Sequence, residues 1–393
     1  MNVLQSVDFD NTQLAFQAKT DAQLRRTYWL YRMVDSPFLT KVGPPILMTA
    51  FKLQLPIEGM VRNSLFELFC GGISLKDTIK TSQMLFNYKV YTILDYSVEG
   101  EKNEAGFDTT MAEIIDALKH GGGMQEVAFS ACKLTGLASI DLLEKVQKRE
   151  SLDEAESQAF ERFRKRVDQI CATAAAQCTP IFIDAEESWI QDPIDQLAEE
   201  MMEKYNHDQM AVYTTVQLYR TDRLGYLEGL IQQSKKKGYL LGVKLVRGAY
   251  IEKERERAKN MGYEDPMQPN KETTDQDFDA ALKLCVEHIE HVGICAGTHN
   301  EKSSRYLAQL MQLKGVANDH SHICFAQLLG MSDHISFNLA HAGYRVAKYL
   351  PYGPVKAVMP YLIRRAKENT AIAGQSSREV ELLHKEIDRR KSL

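Results

Sequence analysis

Two spacings of apolar residues divide the chain into a first and a second part. Up to about residue 88, apolar positions such as Leu24, Tyr28 and Tyr31 recur at the spacing of one face of an α-helix. From Val90 onward, short runs rich in β-branched and aromatic residues alternate with longer amphipathic runs. The pattern predicts a helical segment followed by a region in which strands and helices alternate.

The second part contains eight predicted strands. They cover residues 90–96, 126–133, 180–184, 210–217, 240–246, 293–298, 322–327 and 344–349. Helical runs lie between most of them, and residues 151–173 form a charged amphipathic helix after the second strand. Eight strands alternating with helices predict an α/β protein with a (β/α)8 barrel of the TIM type. An open doubly wound sheet is the alternative, but no Gly-x-Gly-x-x-Gly motif follows the first strand.

This alternation predicts three regions. Residues 1–88 would form a helical segment packing on the barrel, residues 89–375 the catalytic barrel, and residues 376–393 a helical tail. The tail mixes Arg and Lys with Leu382 and Leu383. That mixture predicts a solvated amphipathic helix, and a contact with lipid is the alternative.

Composition narrows the class of protein. Hydrophobic residues make up 44% and charged residues 26% of the chain, as in globular proteins, and the net charge of −5 argues against a nucleic-acid binder that relies on a general positive field. The seven cysteines include no Cys-x-x-Cys pair, which favours reduced, buried thiols. Asp8 and Asp10 lie where a targeting signal would be basic or apolar. We expect a bacterial cytoplasmic protein, with a peripheral contact to the inner membrane as a further expectation.

Polar residues concentrate at the carboxyl ends of the predicted strands. In a β/α barrel these ends meet at one mouth, where the working residues lie. Taken alone, several of them also have a structural interpretation. Asp184 can cap the next helix, His299 can be a core histidine, and Gly248 can be a turn glycine instead of a point where the backbone approaches a planar ligand.

Two further motifs carry charge or metal-binding groups. His320-Ser321-His322 has the spacing of a metal-binding pair but lacks a third ligand, so we predict a structural role and no metal. Arg364 and Arg365 are adjacent on a predicted helix and diverge by about 100°. If this helix crosses the barrel mouth, the two guanidinium groups form a clamp for a carboxylate or phosphate. A solvated basic face is the alternative.

Taken in order, these motifs resemble those of the proline dehydrogenases. The similarity covers about residues 85–375 and, more loosely, the amino-terminal helices. It rests on Lys133-Leu134-Thr135, Asp184-Ala185-Glu186, Val216-Gln217-Leu218-Tyr219, Lys244-Leu245-Val246-Arg247-Gly248-Ala249-Tyr250, Thr298-His299-Asn300, Gln327-Leu328-Leu329-Gly330-Met331, Tyr349 and Tyr361-Leu362-Ile363-Arg364-Arg365. The Lys-Leu-Val-Arg-Gly-Ala-Tyr and Tyr-Leu-x-Arg-Arg runs are the most specific.

The resemblance implies a distorted barrel with FAD across the carboxyl ends of its strands. It implies oxidation of L-proline to 1-pyrroline-5-carboxylate, the first step of proline catabolism, with electrons passed to a quinone. The implied catalytic residues are Lys133, Asp184, Tyr349, Arg364 and Arg365, of which the two arginines would grip the proline carboxylate. The implied substrate-binding residues are Leu328, Tyr361, Ala249 and Tyr250. The implied FAD-binding residues are Gln217, Lys244, Val246, Gly248, Ala249, Tyr250, Thr298, His299, Asn300 and Glu368.

Two positions refine this expectation. Lys244 stands where the bacterial bifunctional members have Arg, which keeps the charge but loses the bidentate fork. The hydroxyproline branch of the family has a smaller residue at the position of Tyr349, so Tyr349 favours proline, and a hydroxyproline dehydrogenase is the alternative.

We expect Lys133 and Asp184 to form an ion pair and assign neither as the base. A folate reductase-like flavin barrel and a catalytically silent binding protein are further alternatives. No oligomeric state is predicted.

Overall fold

The protein is a closed barrel of eight parallel strands. The computed structural model describes residues 7–34, 43, 45–47, 49, 53, 55–97, 103–371 and 375–392, with backbone only at residues 60, 63, 366–371 and 375–377. The strands are β1 Val90–Tyr96, β2 Val127–Lys133, β3 Ile181–Asp184, β4 Val212–Gln217, β5 Leu241–Val246, β6 Val292–Gly297, β7 Ile323–Leu328 and β8 Val346–Tyr352. Each strand pairs with the next in sequence, and β8 pairs with β1, which closes the barrel. The predicted fold class is confirmed.

Helices lie outside the barrel and at both ends of the described chain. They are α1 Thr12–Ala15, α2 Asp21–Val34, α3 Glu58–Val61, α4 Glu67–Phe69, α5 Leu75–Phe86, α6 Glu104–Gly121, α7 Ile140–Gln147, α8 Glu154–Gln177, α9 Gln191–Tyr205, α10 Arg223–Lys237, α11 Ile251–Met261, α12 Lys271–Glu287, α13 Glu301–Lys314, α14 Asp333–His341, α15 Val355–Ala371 and α16 Gln375–Lys391. A π-helical turn, Arg62–Phe66, joins α3 to α4, and two 3-10 turns, Leu134–Gly136 and Ser188–Ile190, follow β2 and β3. None of the helices described is long and apolar enough to cross a bilayer.

The predicted strands agree with the observed ones except at the last. Strand β8 runs from Val346 to Tyr352 instead of covering residues 344–349. It pairs with β1 over its full length, from Val90 opposite Val346 to Tyr96 opposite Tyr352. This pairing carries the strand past Tyr349, which sequence periodicity alone does not indicate.

Alternate residues of the strands fill the barrel interior with aromatic side chains. The rings of Phe129 and Phe182 stack with centroids 4.4 Å apart, and Tyr213 meets Phe182 edge-on at 5.4 Å. Gly293 on β6 makes room for this layer, because a Cβ atom there would lie 2.2 Å from the Met210 sulfur and 2.7 Å from the Tyr213 hydroxyl. This aromatic layer forms the buried, apolar bottom of the mouth, beneath the carboxyl ends of the strands.

The carboxyl-terminal helix packs against the amino-terminal helices. Leu382 and Leu383 of α16 are fully buried in a cluster with Leu24 and Tyr31 of α2 and with Phe16, just after α1. The expectation of a solvated tail is therefore wrong for this face of α16, because α2 covers the two leucines. They are not available to lipid either.

The histidine pair contacts the backbone, and most of the cysteines are buried. The Nδ1 atom of His322 lies 2.8 Å from the carbonyl oxygen of Ile289, and the two rings of the pair, His320 and His322, are perpendicular. No group of metal-binding side chains lies among the described residues. All seven cysteines are free thiols; six are buried as expected, but Cys178, at the exposed end of α8, is not.

Candidate active site

Asp184 is the centre of a polar cluster at the mouth of the barrel. Its Oδ1 atom accepts a hydrogen bond from the Lys244 ammonium group, and its Oδ2 atom accepts one from the Tyr349 hydroxyl at 2.8 Å. The Lys133 ammonium nitrogen lies 3.4 Å from Oδ2. Four strands, β2, β3, β5 and β8, contribute one residue each. The ion pair expected between Lys133 and Asp184 is therefore present, and Lys244 and Tyr349 extend it.

Burial and charge set the protonation of this cluster. Burial alone would raise the pKa of Asp184, but the charges of Lys244 and Lys133 outweigh it and lower the pKa below its ordinary value. Burial, followed by the nearby charge of Asp184, raises the pKa of Tyr349 well above its ordinary value. At neutral pH, Asp184 is an anion and Tyr349 carries its proton. Asp184 is thus suited to holding cations and poorly suited to accepting a proton.

Lys244 lies between two aromatic rings as well as against Asp184. Its ammonium nitrogen is 5.2 Å from the centre of the Phe182 ring and 5.1 Å from that of Tyr349. Its side chain is only 9% exposed. Such a position holds the ammonium group at the floor of the mouth, largely withdrawn from water and paired with Asp184.

The end of β6 holds a neutral histidine and a helix cap. The Nδ1 atom of His299 lies 2.9 Å from the Ser332 hydroxyl. Burial, together with the charges of Lys348 and Arg365, lowers the pKa of His299 to about 3, so the ring is uncharged at neutral pH. The side-chain oxygen of Asn300 accepts hydrogen bonds from the first-turn amides of α13 and caps that helix.

Arg247, directly after β5, connects the end of β5 to the end of β6 and to α12 and α13. Its guanidinium group donates to the Thr298 hydroxyl at 2.7 Å, to the Ser303 hydroxyl at 2.9 Å and to the Asp275 carboxylate at 2.6 Å. These contacts use the hydroxyl of Thr298 within the protein. They also place the Arg247–Asp275 ion pair beside the amino terminus of α13.

Gly248 adopts a backbone conformation that favours glycine. Its φ is +132°, and a Cβ atom at this position would lie 2.5 Å from the ring of Tyr219. The close approach that this glycine permits is therefore to an aromatic ring of the protein. Gly248 and Ala249 are themselves exposed at the mouth, so their backbone remains accessible from outside.

Helix α15 packs beside the carboxyl end of β7. Its residues Val358 and Leu362 share an apolar cluster with Met331 and with the partly buried Leu328. Arg365 is buried, and its guanidinium carbon lies 5.3 Å from the centre of the Tyr361 ring. Its charge also contributes to the lowered pKa of His299.

Comparison with known proteins identifies the family. The family model for proline dehydrogenase matches residues 78–378. The chain belongs to the proline dehydrogenase family.

Several relatives support this membership. Proline dehydrogenase 1 of Caenorhabditis elegans is 33% identical over 90% of this chain and 57% of its own length. The carbapenem antibiotics biosynthesis protein CarD of Pectobacterium carotovorum is 31% identical over 88% of this chain and 89% of its own length. Hydroxyproline dehydrogenase of Xenopus laevis is 28% identical over 95% of this chain and 88% of its own length. The chain thus spans little more than half of the worm enzyme.

A solved structure supports the fold. Proline utilization A from Bdellovibrio bacteriovorus superposes with a TM-score of 0.73 at 16% identity. The match covers 94% of this chain and 40% of that one. The two proteins share the barrel architecture.

The active-site residues that the family resemblance implied fall into two groups in the structure. Lys133, Asp184, Lys244 and Tyr349 contact one another directly. The others lie around the mouth at the ends of β4 to β8 and on α15, and their roles stay predictions. Those with described side chains are Gln217, Val246, Gly248, Ala249, Tyr250, Thr298, His299, Asn300, Leu328, Tyr361, Arg364 and Arg365. The side chain of Glu368, also on α15, lies outside the described residues.

Sequence reasoning did not identify Asp95, and it assigned no role to Glu186 although that residue lies in one of the motifs. Asp95 on β1 is 1% exposed and lies 3.9 Å from Lys133. It is the charged residue in an otherwise uncharged strand, which is the signal that could have found it. Glu186 accepts hydrogen bonds from the Thr135 amide at 2.9 Å and from its hydroxyl at 2.5 Å. It ties the loop after β2 to the loop after β3, and so fixes the strand ends that carry Lys133 and Asp184.

Proposed function

We propose that this protein is an FAD-dependent dehydrogenase that oxidises L-proline to 1-pyrroline-5-carboxylate, the first step of proline catabolism. The observation that carries the proposal is the cluster of Asp184 with Lys133, Lys244 and Tyr349 at the mouth of the barrel. Membership of the proline dehydrogenase family and the similarity to proline dehydrogenase 1 of Caenorhabditis elegans support the same reaction.

The residues at the mouth fit a flavin dinucleotide. The exposed backbone of Gly248 and Ala249 leaves room for a flat group, and the dipole of α13 favours an anion near its amino terminus, where Asn300 caps the first amides and Arg247 is paired with Asp275. The residues that would hold FAD are Gln217, Lys244, Val246, Gly248, Ala249, Tyr250, Thr298, His299, Asn300 and Glu368. When bound, FAD supplies the acceptor for the hydride that leaves the proline ring carbon next to nitrogen. Asn300 and Thr298 use their side-chain oxygens within the protein, so their contribution is expected from other atoms.

The protein orients the substrate and holds charge in place. Arg364 and Arg365 would bind the carboxylate of proline and fix one end of the rigid ring. Leu328 would contact the apolar ring carbons, since it borders both the barrel interior and the α15 cluster. Asp184, kept ionised, holds the two lysines at fixed positions. The amine proton therefore leaves to solvent or to a group other than Asp184.

Tyr349 favours proline over 4-hydroxyproline. The ring is buried, and its hydroxyl is fixed by Asp184 at 2.8 Å. The relative named hydroxyproline dehydrogenase keeps the second substrate as the alternative. We predict that Tyr349→Ser, which empties space beside Asp184, raises kcat/KM for 4-hydroxyproline relative to proline. A ratio unchanged from that of the wild type would contradict this role.

We also propose a membrane quinone as the electron acceptor, with a cytoplasmic protein that contacts the inner membrane peripherally. Trp29 and Met33 of α2 support it, because their side chains are 65% and 55% exposed and lie one helical turn apart. Exposed tryptophan beside basic residues such as Arg25 is typical of an interfacial helix. Flotation with anionic lipid vesicles, compared between wild type and Trp29→Ser, tests the contact.

An anaerobic titration watched at the flavin absorption bands tests the whole proposal. Proline is expected to bleach the bands of the purified protein, and 4-hydroxyproline to bleach them poorly. Bleaching by 4-hydroxyproline alone would favour the alternative substrate. Protein that neither carries nor takes up FAD would refute the proposed function.

A further inference from the structure

The carboxyl-terminal helix α16 contacts two loops at the barrel mouth. Glu379 is 3% exposed, and its Oε1 atom accepts a hydrogen bond from the amide of Ser332, after β7, at 2.5 Å. The neighbouring Arg378 donates from Nε to the Oε1 atom of Glu301, after β6, at 3.1 Å. One end of α16 therefore ties together the loops that follow β6 and β7.

Ser332 is hydrogen-bonded to both Glu379 and His299. Its hydroxyl lies 2.9 Å from the Nδ1 atom of His299, while its amide donates to Glu379. Ser332 has a φ of +51°, an uncommon conformation for a residue other than glycine that persists only where its surroundings hold it. The carboxylate of Glu379 is one such restraint. It sets where the Ser332 hydroxyl lies, and hence how the His299 ring is oriented.

Glu301 provides a second route from α16 to the same loop. It is the first residue of α13 and directly follows Asn300. Its Oε1 atom is 3.1 Å from the Nε2 atom of His334 and 3.1 Å from Arg378. The segment from His299 to Glu301 is therefore held from α16 on two sides.

The rest of α16 is anchored away from the mouth. Glu386 is fully buried and accepts a hydrogen bond from the Thr12 hydroxyl at 2.9 Å, and Arg390 donates to the carbonyl oxygen of Phe16 at 2.9 Å. Together with Leu382 and Leu383, these contacts fix α16 to α1 and α2. Anchoring of the helix and contact with the β6 and β7 loops can therefore be disturbed separately.

We propose that Glu379 is a positioning residue for the cofactor, acting through Ser332 on His299, with the Arg378–Glu301 contact holding the neighbouring end of the same segment. This inference rests on the proposed function, in which His299 and Asn300 bind FAD. It makes α16 a functional part of the cofactor site, with its effect on FAD affinity and not on the hydride-transfer step itself.

FAD binding to apoprotein, measured by quenching of flavin fluorescence, tests this inference. Glu379→Leu removes the acceptor of the Ser332 amide, and we expect FAD to bind about tenfold more weakly, the scale on which residues orienting a ligand-bearing side chain act. Glu379→Gln retains an acceptor oxygen and should restore most of the affinity. Ser332→Gly keeps the left-handed backbone without strain but loses the hydroxyl, and it should weaken binding even if Glu379→Leu does not fold. Combined with Glu379→Leu, it should add little, because both act on one path.

Leu383→Ala is the matched control, because it loosens the anchoring of α16 without touching either loop. It should lower the melting temperature and leave the FAD affinity unchanged. Wild-type affinity in both Glu379→Leu and Ser332→Gly would overturn the inference. So would an equal loss in Leu383→Ala, which would mean that α16 acts through general stability. Wild-type protein that binds no FAD would instead refute the proposed function.

Discussion

Replacing Asp184 by Asn removes one negative charge from between two ammonium groups without changing the shape of the side chain. Asp184 is 8% exposed and Lys244 7%, so both are largely withdrawn from water. Asn can still accept the hydrogen bond of Tyr349 but cannot balance the charges of Lys133 and Lys244. Breaking a buried ion pair by removing one partner costs about 3–5 kcal/mol. We expect the unfolding free energy at pH 7 to fall by about this amount.

The effect should depend on pH in a defined direction. Asp184 has a lowered pKa in the folded protein, so its ionised form stabilises the fold at every pH above the unfolded-state pKa of about 3.9. That stabilisation is lost as pH falls through the folded-state value. The difference between wild type and Asp184→Asn should therefore be largest near neutrality and shrink as pH falls below about 4, because the unfolded wild-type chain then binds a proton at Asp184 that the folded protein does not yet bind.

Urea denaturation followed by circular dichroism, from pH 7 down to pH 3, measures this difference. Tyr349→Phe is the matched control, because it removes one hydrogen bond but no charge. It should lower stability less, by about 1.5 kcal/mol, with little change in the difference across this pH range. An Asp184→Asn variant as stable as the wild type at pH 7, or a difference that persists undiminished at pH 3, would refute the charge-balancing role.

Three further predictions concern the rim of the mouth. Arg364→Met and Arg365→Met should each raise the KM for proline by about 10- to 100-fold while FAD stays bound, as expected for losing a hydrogen bond to a charged group; unchanged steady-state kinetics in both would contradict the clamp. Gly248→Ala should lower stability by about 1–3 kcal/mol in thermal unfolding, because the new Cβ would lie 2.5 Å from the ring of Tyr219 and φ is +132°. A wild-type melting temperature would count against that strain. Burial raises the pKa of Glu186 to about 7, so the wild-type protein loses stability as pH rises from about 4.5 to 7. Glu186→Gln carries no titrating group at this position, so its stability relative to wild type should increase between pH 5 and pH 8. A constant difference over that range would show that Glu186 does not titrate there.

The barrel could be predicted from sequence because each strand carries its own local signal. A buried parallel strand is a short apolar run, and a polar residue at its end is visible without knowing its neighbours. The pairing of Lys133 with Asp184 follows in the same way, since the two residues end adjacent strands in register. Contacts across the interior do not follow. Lys244 reaches Asp184 past the whole of β4, and that contact depends on the width of the barrel and the length of the side chain.

The position of the carboxyl-terminal helix could not be predicted from sequence for a related reason. A run such as Leu382-Leu383 among charged residues shows that one face of the helix is apolar, but not what covers it. Here α2 covers it, more than 340 residues away in sequence. The hydrogen bond from Ser332 to Glu379 depends on that docking. Local patterns cannot reveal a contact that requires both ends of the chain to be placed first.

The charges at the mouth also restrict where a carboxylate substrate can bind. Lys133 lies 3.4 Å from Asp184 and 3.9 Å from Asp95, and Lys244 is bonded to Asp184. A substrate carboxylate placed at these lysines would face the two aspartates at close range and would have to displace one of them. The attraction it gained would be offset by repulsion between like charges. The lysines thus neutralise the two aspartates, and under the proposed function we expect the carboxylate of proline to bind on the side of α15. Binding of proline there should leave the titration of Asp184 unchanged, whereas binding at the lysines would raise its pKa.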